Sequence, residues 1–203
     1  MRISYAITVC NEDKELDQLL EILKKSKDNE DEIVVQCDKG NTTQEVYNVL
    51  EKHDQQYIEY PLNNHFANFK NNLKENCNGD WIFQIDADEL PDNYLIKNLK
   101  KIIKANKTVE LMSVPRVNKV EGLTQKHIYK WGWILNEKEW INWPDYQNRI
   151  ILNNSRIKWV NRVHEKIYGF QKAVRLPKNT KYCLYHFKHI KKQEQQNKYY
   201  DSL

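Results

Sequence analysis

Strand-like and helix-like segments alternate along the first hundred residues, and this order constrains the fold more than any other feature of the sequence. Runs rich in β-branched and aromatic residues predict four strands, at residues 3–9, 32–37, 56–60 and 80–85. Apolar residues at helical spacing predict a helix after each strand, around residues 16–23, 43–50, 64–77 and 91–103. Because such alternation produces βαβ units, we expect an α/β protein with a mostly parallel central sheet flanked by helices.

The second half of the chain is less regular and rich in tryptophan. Strands are predicted at residues 108–117, 147–152, 157–163 and 182–187, and the polar segment 188–200 is a helix or a frayed end. Five of the six tryptophans lie within residues 131–159. Since no repeat or long linker interrupts the chain, we expect one domain over residues 1–203. It has a first half, 1–105, and a smaller mixed lobe, 106–203.

Composition excludes several classes of protein. Apolar residues make up 40% of the chain and the net charge is +4, which excludes a disordered tail and gives no argument for nucleic acid by itself. The four cysteines form no CxxC pair, so we expect buried free thiols. No apolar run approaches the roughly 20 residues of a membrane span, and no signal peptide is apparent. We therefore expect a soluble cytoplasmic protein whose contact with a membrane, if any, is peripheral.

Charge is distributed unevenly along the chain. Residues 1–100 carry 20 acidic and 11 basic side chains, whereas residues 101–203 carry 8 acidic and 21 basic ones. This asymmetry indicates two different surfaces, although lysine-rich solvated faces explain it equally well.

Polar residues follow the predicted strands at the edge of the sheet where ligands bind. In parallel sheets this edge lies beyond the carboxyl ends of the strands. The residues concerned are Asn11 and Glu12, Asp38, and the acidic run 86–89. The chain contains neither GxGxxG nor GxxxxGK[ST], which argues against a dinucleotide fingerprint and a P-loop.

The acidic run contains the sharpest motif, Asp86-Ala87-Asp88. Two carboxylates at this spacing suit a hard divalent cation such as Mg²⁺ or Mn²⁺. An acidic cluster at the start of a helix, stabilised by about 0.3–1 kcal/mol through the helix dipole, is the alternative. The motif alone does not decide between them.

The order and spacing of several motifs resemble the nucleotide-sugar half of family-2 glycosyltransferases with the GT-A fold. Residues 66–71 (FANFKN) are similar to the family's F-x-x-x-R-N, with Lys70 in place of Arg, and residues 79–89 (GDWIFQIDADE) to its G-D-W-I-x-x-x-D-A-D-E. Residues 7–12 (ITVCNE) and 38–43 (DKGNTT) resemble its first strand and its D-T-G-S-T-D, whose last Asp is Thr43 here. Residues 147–152, Trp159, 163–165 and 185–187 resemble later family segments more loosely.

This resemblance implies a metal-dependent glycosyltransferase of the hexosyltransferase type. Residues 1–105 would bind a UDP- or GDP-type sugar donor, and residues 106–203 would face a carbohydrate acceptor in glycan or polysaccharide synthesis, with inversion at the anomeric carbon. A divalent cation, Mn²⁺ or Mg²⁺, would bridge the donor's diphosphate. The implied metal ligands are Asp86, Asp88 and His186. The implied donor-binding residues are Asn11, Glu12, Asp38, Lys70, Asn71, Asp86 and Arg149.

The catalytic base is open between two carboxylates. Asp145 lies in a tryptophan-rich stretch between the acidic motif and His186, and Glu165 is its rival. Either could instead be a paired surface carboxylate, with Arg149 the obvious partner of Asp145. His164 fits a hydrogen-bonded structural histidine better than a ligand.

Tryptophans and lysines of the second half suggest how an acceptor is bound. Trp131, Trp133 and Trp143 are candidates for stacking on a sugar, although at least two of the five clustered tryptophans are expected to be structural. Lysines of the tail either steer an anionic ligand or form a solvated helix face; they are Lys188, Lys191, Lys192 and Lys198. The second half is short for an acceptor domain, so completion of the site by a partner protein or by a homodimer is a further expectation.

Two other functions compete with glycosyl transfer. A metal-dependent nucleotidyltransferase would release pyrophosphate, but the chain lacks a glycine-rich, basic phosphate loop after its first strand. A non-catalytic carbohydrate- or nucleic-acid-binding module would use the basic, tryptophan-rich second half, and its binding to nucleic acid would weaken steeply with salt.

Overall fold

A seven-stranded sheet forms the centre of the computed structural model, which describes residues 1–201 and the side chains of residues 1–198. The strands are β1 Ile3–Val9, β2 Glu32–Asp38, β3 Tyr57–Tyr60, β4 Trp81–Asp86, β5 Leu90–Pro91, β6 Leu111–Val114, β7 Arg116–Glu121, β8 Gln147–Leu152, β9 Lys158–Val160, β10 Lys166–Tyr168, β11 Ala173–Arg175 and β12 Leu184–His189. The helices are α1 Asp13–Ser26, α2 Gln44–Lys52, α3 Phe66–Glu75, α4 Asn93–Ala105, α5 Gln125–Trp131 and α6 Ile190–Asp201.

The main sheet has the order β11-β6-β8-β4-β1-β2-β3 and is mostly parallel. β1 pairs in parallel with β2 and β4, and β2 pairs in parallel with β3. β8 is inserted antiparallel between β4 and β6. A small sheet, β5-β12-β7, and a hairpin, β9-β10, complete the fold. The predicted α/β architecture is confirmed.

Alternating side chains of β1 divide the core into two layers. Tyr5 and Ile7 are buried on the face that also packs the leucines of α1, whereas Ala6 is buried on the opposite face with α3. This follows from the two-residue period of a strand and the helical spacing of the α1 leucines. Each fully buried leucine contributes up to about 1.5–3 kcal/mol through removal of apolar surface from water.

The four strands and four helices predicted in the first half are confirmed within a few residues. The single strand predicted at 108–117 is wrong, because Pro115 separates β6 from β7. Proline has no N–H to offer a strand partner, and here the chain leaves the main sheet and enters the small one. The strand predicted at 157–163 is shorter, and the tail is a helix, α6.

The four cysteines are free, and three of them are buried while Cys10 is half-buried. No helix within residues 1–201 combines the length and the apolar character needed to cross a bilayer.

Candidate active site

A cleft of about 1050 Å³ opens where β1, β2 and β4 end. The residues that follow these strands line it, as the strand order predicts for a parallel sheet. β7, β8, β12 and α6 close its other side. The predicted site residues that line this cleft are Asn11, Glu12, Asp38, Lys70, Asp86, Asp88, Trp133, Asp145, Arg149, Glu165 and His186.

Asp86, the last residue of β4, is held by a buried arginine. Nη2 of Arg149 donates to Oδ2 of Asp86 at 2.5 Å, and the Thr8 hydroxyl donates to Oδ1 at 3.0 Å. Burial opposes ionisation of Asp86, yet the positive charges of Arg149 and Lys70 outweigh it and lower the pKa of this carboxyl below its usual range. Asp86 is therefore an ionised carboxylate already engaged by the protein.

A second arginine extends this network to Asp145. Nη1 of Arg116 donates to Glu89 at 2.8 Å, and its Nε and Nη2 donate to Oδ2 of Asp145 at 2.9 and 2.8 Å. Glu89 is fully buried and also accepts from Arg149 at 2.7 Å. Two arginines thus compensate its charge, which would otherwise be costly in the interior. The partner expected for Asp145 was Arg149, but the structure gives it Arg116.

Asp145 is connected to His186 through one amide. The Asn118 side chain donates from Nδ2 to Oδ2 of Asp145 and accepts at Oδ1 from Nδ1 of His186, 2.7 Å away. Asp145 has a φ of +31°, a backbone conformation that non-glycine residues adopt rarely and that is concentrated at functional sites.

Asp88 lies among three basic side chains. Its Oδ2 is 3.3 Å from Nε2 of His186, 3.4 Å from Nζ of Lys188 and 3.9 Å from Nζ of Lys192. Burial opposes ionisation, but the hydrogen bond and charge of His186, followed by the lysines, lower the pKa of Asp88 below its usual range.

Asp88 and His186 fit a divalent cation. Since Asn118 donates to Asp145, its Oδ1 accepts the Nδ1–H of His186, and Nε2 is the ring nitrogen that faces Oδ2 of Asp88. A bound cation would take the place of the proton that Nε2 shares with Asp88. Two electron-pair donors 3.3 Å apart suit adjacent positions around an ion bound at about 2.0–2.2 Å. Fixing a histidine ligand through its other ring nitrogen is the usual arrangement at metal sites.

The three metal ligands predicted from the sequence are not assembled as a group. Among the side chains of residues 1–198, no three from His, Cys, Asp or Glu are placed to hold one ion. Asp86 is engaged by Arg149, so the structure leaves Asp88 and His186 as a pair.

On the β1–β2 side, backbone groups organise two further carboxylates. Glu12 accepts from the backbone N–H groups of Cys10 and Asn11, both at 3.1 Å. Asp38 accepts from the backbone N–H of Leu62 at 2.9 Å. These bonds fix each carboxylate in the wall of the cleft and leave it further lone pairs for a ligand.

Lys70 and Glu165 form an ion pair on the opposite wall. Nζ of Lys70 contacts Oε1 of Glu165 and lies 4.7 Å above the centre of the Trp159 ring. Lys70 is therefore buried in the cleft wall, and Glu165 compensates its charge.

Two groups of predictions are not supported by the structure. The side-chain amide of Asn71 bonds both backbone groups of Trp159, at 2.9 Å each, so it joins α3 to β9 rather than facing the donor. Trp131 stacks on His127, and Trp143 packs edge-on against Trp140. Of the three tryptophans predicted at the acceptor site, Trp133 is the one found lining the cleft within the described part of the chain.

Sequence reasoning missed Arg116 and Asn118. They occupy alternate positions of β7, so both side chains point to one face of that strand. The sequence signal that could have identified them is a pair of polar residues two positions apart, directly after a proline that interrupts a strand.

The fold is the one found in GT-A glycosyltransferases. A crystal structure of S. aureus TarS, residues 1–349, superposes with a TM-score of 0.63 at 15% identity, covering 92% of this chain and 60% of that one. The same protein in complex with UDP-GlcNAc gives 0.62 at 16% identity, covering 92% and 58%. Glucosyl-3-phosphoglycerate synthase from Mycobacterium tuberculosis, in complex with Mn²⁺, UDP-Glc and phosphoglyceric acid, gives 0.49 at 13% identity, covering 58% and 44%.

Residues 4–193 match the model of Glycosyl transferase family 2, and the chain belongs to this family. A comparison with curated proteins gives no significant match. This chain spans about 60% of the length of the TarS chain named first.

Proposed function

We propose that this protein transfers a hexose from a nucleoside-diphosphate donor of the UDP or GDP type to a hydroxyl of a carbohydrate acceptor. The observation that carries the proposal is the pairing of Asp88 with His186 at the carboxyl end of β4, in a chain of glycosyl transferase family 2. The UDP-GlcNAc complex of TarS supports a UDP-sugar as the first donor to test.

Asp88 and His186 would hold Mn²⁺ or Mg²⁺. When bound, such a cation neutralises the negative charge that develops on the departing diphosphate. Arg149 and Arg116 keep the neighbouring carboxylates of Asp86 and Glu89 ionised and in place. These ion pairs would fix the polar groups beside the proposed metal position before the donor arrives, and such preorganisation favours electrostatic catalysis.

The nucleoside is proposed to bind at Asp38 and Glu12. Both carboxylates line the cleft where β2 and β1 end, and each can accept a hydrogen bond from a base N–H or a ribose hydroxyl. Asn11 is exposed beside them and adds an amide donor.

Asp145 is proposed as the catalytic base. Arg116 and Asn118 bind its Oδ2, whereas Oδ1 accepts from Gln147 at 3.1 Å and keeps a lone pair for the acceptor hydroxyl. Glu165, ion-paired with Lys70, is the rival.

The proposed step balances as a single displacement at C1 of the donor sugar. The acceptor oxygen bonds to C1 while its proton passes to Oδ1 of Asp145. The bond from C1 to the β-phosphate oxygen breaks, and its electron pair leaves with the nucleoside diphosphate. Attack from the face opposite the leaving group would invert the anomeric carbon.

The acceptor is proposed to stack on Trp133. This ring lines the cleft and packs against Trp131, with ring centres 4.6 Å apart. Aromatic faces present suitable apolar surface to sugar C–H groups. The cytoplasmic location, the homodimer, the role in glycan synthesis and the identity of the acceptor stay predictions.

Product analysis tests the proposal. The protein is incubated with UDP-Glc, UDP-GlcNAc and GDP-mannose, each with Mn²⁺ or with a chelator, and the released nucleotide is measured. We expect one donor to release its nucleoside diphosphate only with the metal, and Asp88→Asn to abolish this release while Glu139→Gln, at an exposed carboxylate, retains it. Pyrophosphate release from a nucleoside triphosphate and a sugar phosphate would instead establish a nucleotidyltransferase.

A further inference from the structure

The C-terminal helix α6 contributes polar side chains to the mouth of the cleft. Lys192, Gln193 and Gln196 of α6 line it, together with Lys188 at the end of β12. Lys188 donates to Gln196 at 2.8 Å and so ties the strand to the helix. At the start of α6, Ile190 packs closely against Gly122, where an added Cβ would lie 2.9 Å from the isoleucine Cγ2.

Two ammonium groups from this region converge on Asp88 without tight contacts. Nζ of Lys192 is 3.9 Å from Asp88, 3.5 Å from Glu12 and 3.8 Å from Glu15, and Nζ of Lys188 is 3.4 Å from Asp88. A charge-assisted hydrogen bond measures about 2.7–2.9 Å. Lys192 is therefore attracted to three carboxylates and locked to none of them, whereas Lys188 contacts one carboxylate, Asp88, beside its hydrogen bond to Gln196.

Among the described residues that line the cleft, the remaining lysine and the two arginines form close ion pairs with carboxylates. Arg149 and Arg116 donate to Asp86 and Glu89 at 2.5–2.8 Å, and Lys70 is paired with Glu165. Recruiting one of these cations to a ligand would leave a buried carboxylate uncompensated, which is costly. Lys192, whose side chain is 36% exposed, can leave its carboxylates at little cost.

We propose that Lys192, with Lys188, binds the diphosphate of the donor and selects nucleoside diphosphates over monophosphates and nucleosides. This inference rests on the proposed function. Phosphate oxygens entering beside Asp88 would replace the loose carboxylate contacts of Lys192 with direct hydrogen bonds. Because the charge on the diphosphate grows as it departs, the same lysine would also stabilise the leaving group.

Calorimetric titration of the full chain tests the role of Lys192. UDP, UMP, uridine, GDP and GMP are titrated in the presence of Mn²⁺ into the parent protein, Lys192→Met, Lys192→Arg and Lys191→Met. Lys191→Met is the matched control, because it removes the same charge from the adjacent, exposed position of α6. Thermal unfolding confirms that each variant is folded.

We expect Lys192→Met to bind the nucleoside diphosphate about 10- to 100-fold more weakly than the parent protein, because one hydrogen bond to a charged group is lost. Monophosphate binding changes less, nucleoside binding does not change, and Lys192→Arg and Lys191→Met bind diphosphate within about threefold of the parent. Equal diphosphate affinity in Lys192→Met and Lys191→Met overturns this inference and leaves the proposed function intact. A parent protein that binds neither UDP nor GDP overturns both.

Discussion

Nε2 of His186 lies 3.3 Å from Oδ2 of Asp88, although the two residues are 98 positions apart in the sequence. The parallel pairing of β12 with β7 places His186 directly opposite Asn118, whose amide fixes the histidine ring. The pair therefore depends on strand register as much as on its own two side chains.

Asn118→Ala should weaken metal binding without unfolding the protein. Without the Asn118 amide, the tautomer and the ring orientation of His186 are no longer fixed. Loss of such a contact to a metal ligand typically lowers metal affinity about 10- to 100-fold. Titration of Mn²⁺ into parent and variant measures the effect. An unchanged Mn²⁺ affinity in a folded variant would contradict the role assigned to Asn118.

Asp145→Asn should retain donor binding and lose transfer. General base catalysis contributes about 10²–10⁴-fold to the rate, and an amide cannot accept the proton of the acceptor hydroxyl. The measurement is single-turnover transfer beside donor affinity, with Glu165→Gln as the matched comparison. If Glu165→Gln loses transfer and Asp145→Asn keeps it, the base is Glu165.

Asp86→Asn should make the free energy of unfolding less dependent on pH in the acid range. The folded-state pKa of Asp86 lies below that of an unfolded aspartate, about 3.9, so its ionisation stabilises the fold above that value. This stabilisation is lost progressively as the pH falls from about 3.9 through the lower folded-state pKa. Urea unfolding between about pH 3 and 5, with chelator present, should show a free energy that falls less steeply in Asp86→Asn. Identical slopes would argue against a lowered pKa.

Gly169→Ala should destabilise the protein more than Gly132→Ala. Both glycines have positive φ, +88° and +62°, but a Cβ at Gly169 would lie 1.9 Å from the Arg156 carbonyl oxygen, whereas nothing lies within 4 Å at Gly132. We expect Gly132→Ala to cost about 1 kcal/mol and Gly169→Ala clearly more. Thermal and urea unfolding compare the two, and equal losses would mean that the close approach has no consequence.

Sequence patterns anticipate the parts of this protein that depend on local order. Asp38 and Asp86 end strands that are largely apolar, so their position at the ligand edge follows from the topology of parallel sheets. The helix faces of α1 and α4 are equally readable, because the buried leucines keep a helical spacing.

Those patterns do not predict which side chains pair with each other. Arg116 reaches Asp145 only because Pro115 turns the chain into a second sheet, and Asn118 meets His186 only through the register of β7 with β12. Asn71 matches a family motif, yet its side-chain amide is hydrogen-bonded to the backbone of Trp159. Contacts between distant segments decide these outcomes.

The most direct test of the account is calorimetric binding of UDP and GDP to the parent protein and to Asp88→Asn, with and without Mn²⁺. We predict that one nucleoside diphosphate binds the parent tightly only when Mn²⁺ is present, and that Asp88→Asn removes this dependence on the metal. If both proteins bind the nucleotide equally well with and without Mn²⁺, the metal role of Asp88 and His186 is wrong. If neither nucleotide binds the folded parent protein, the proposed donor is wrong as well.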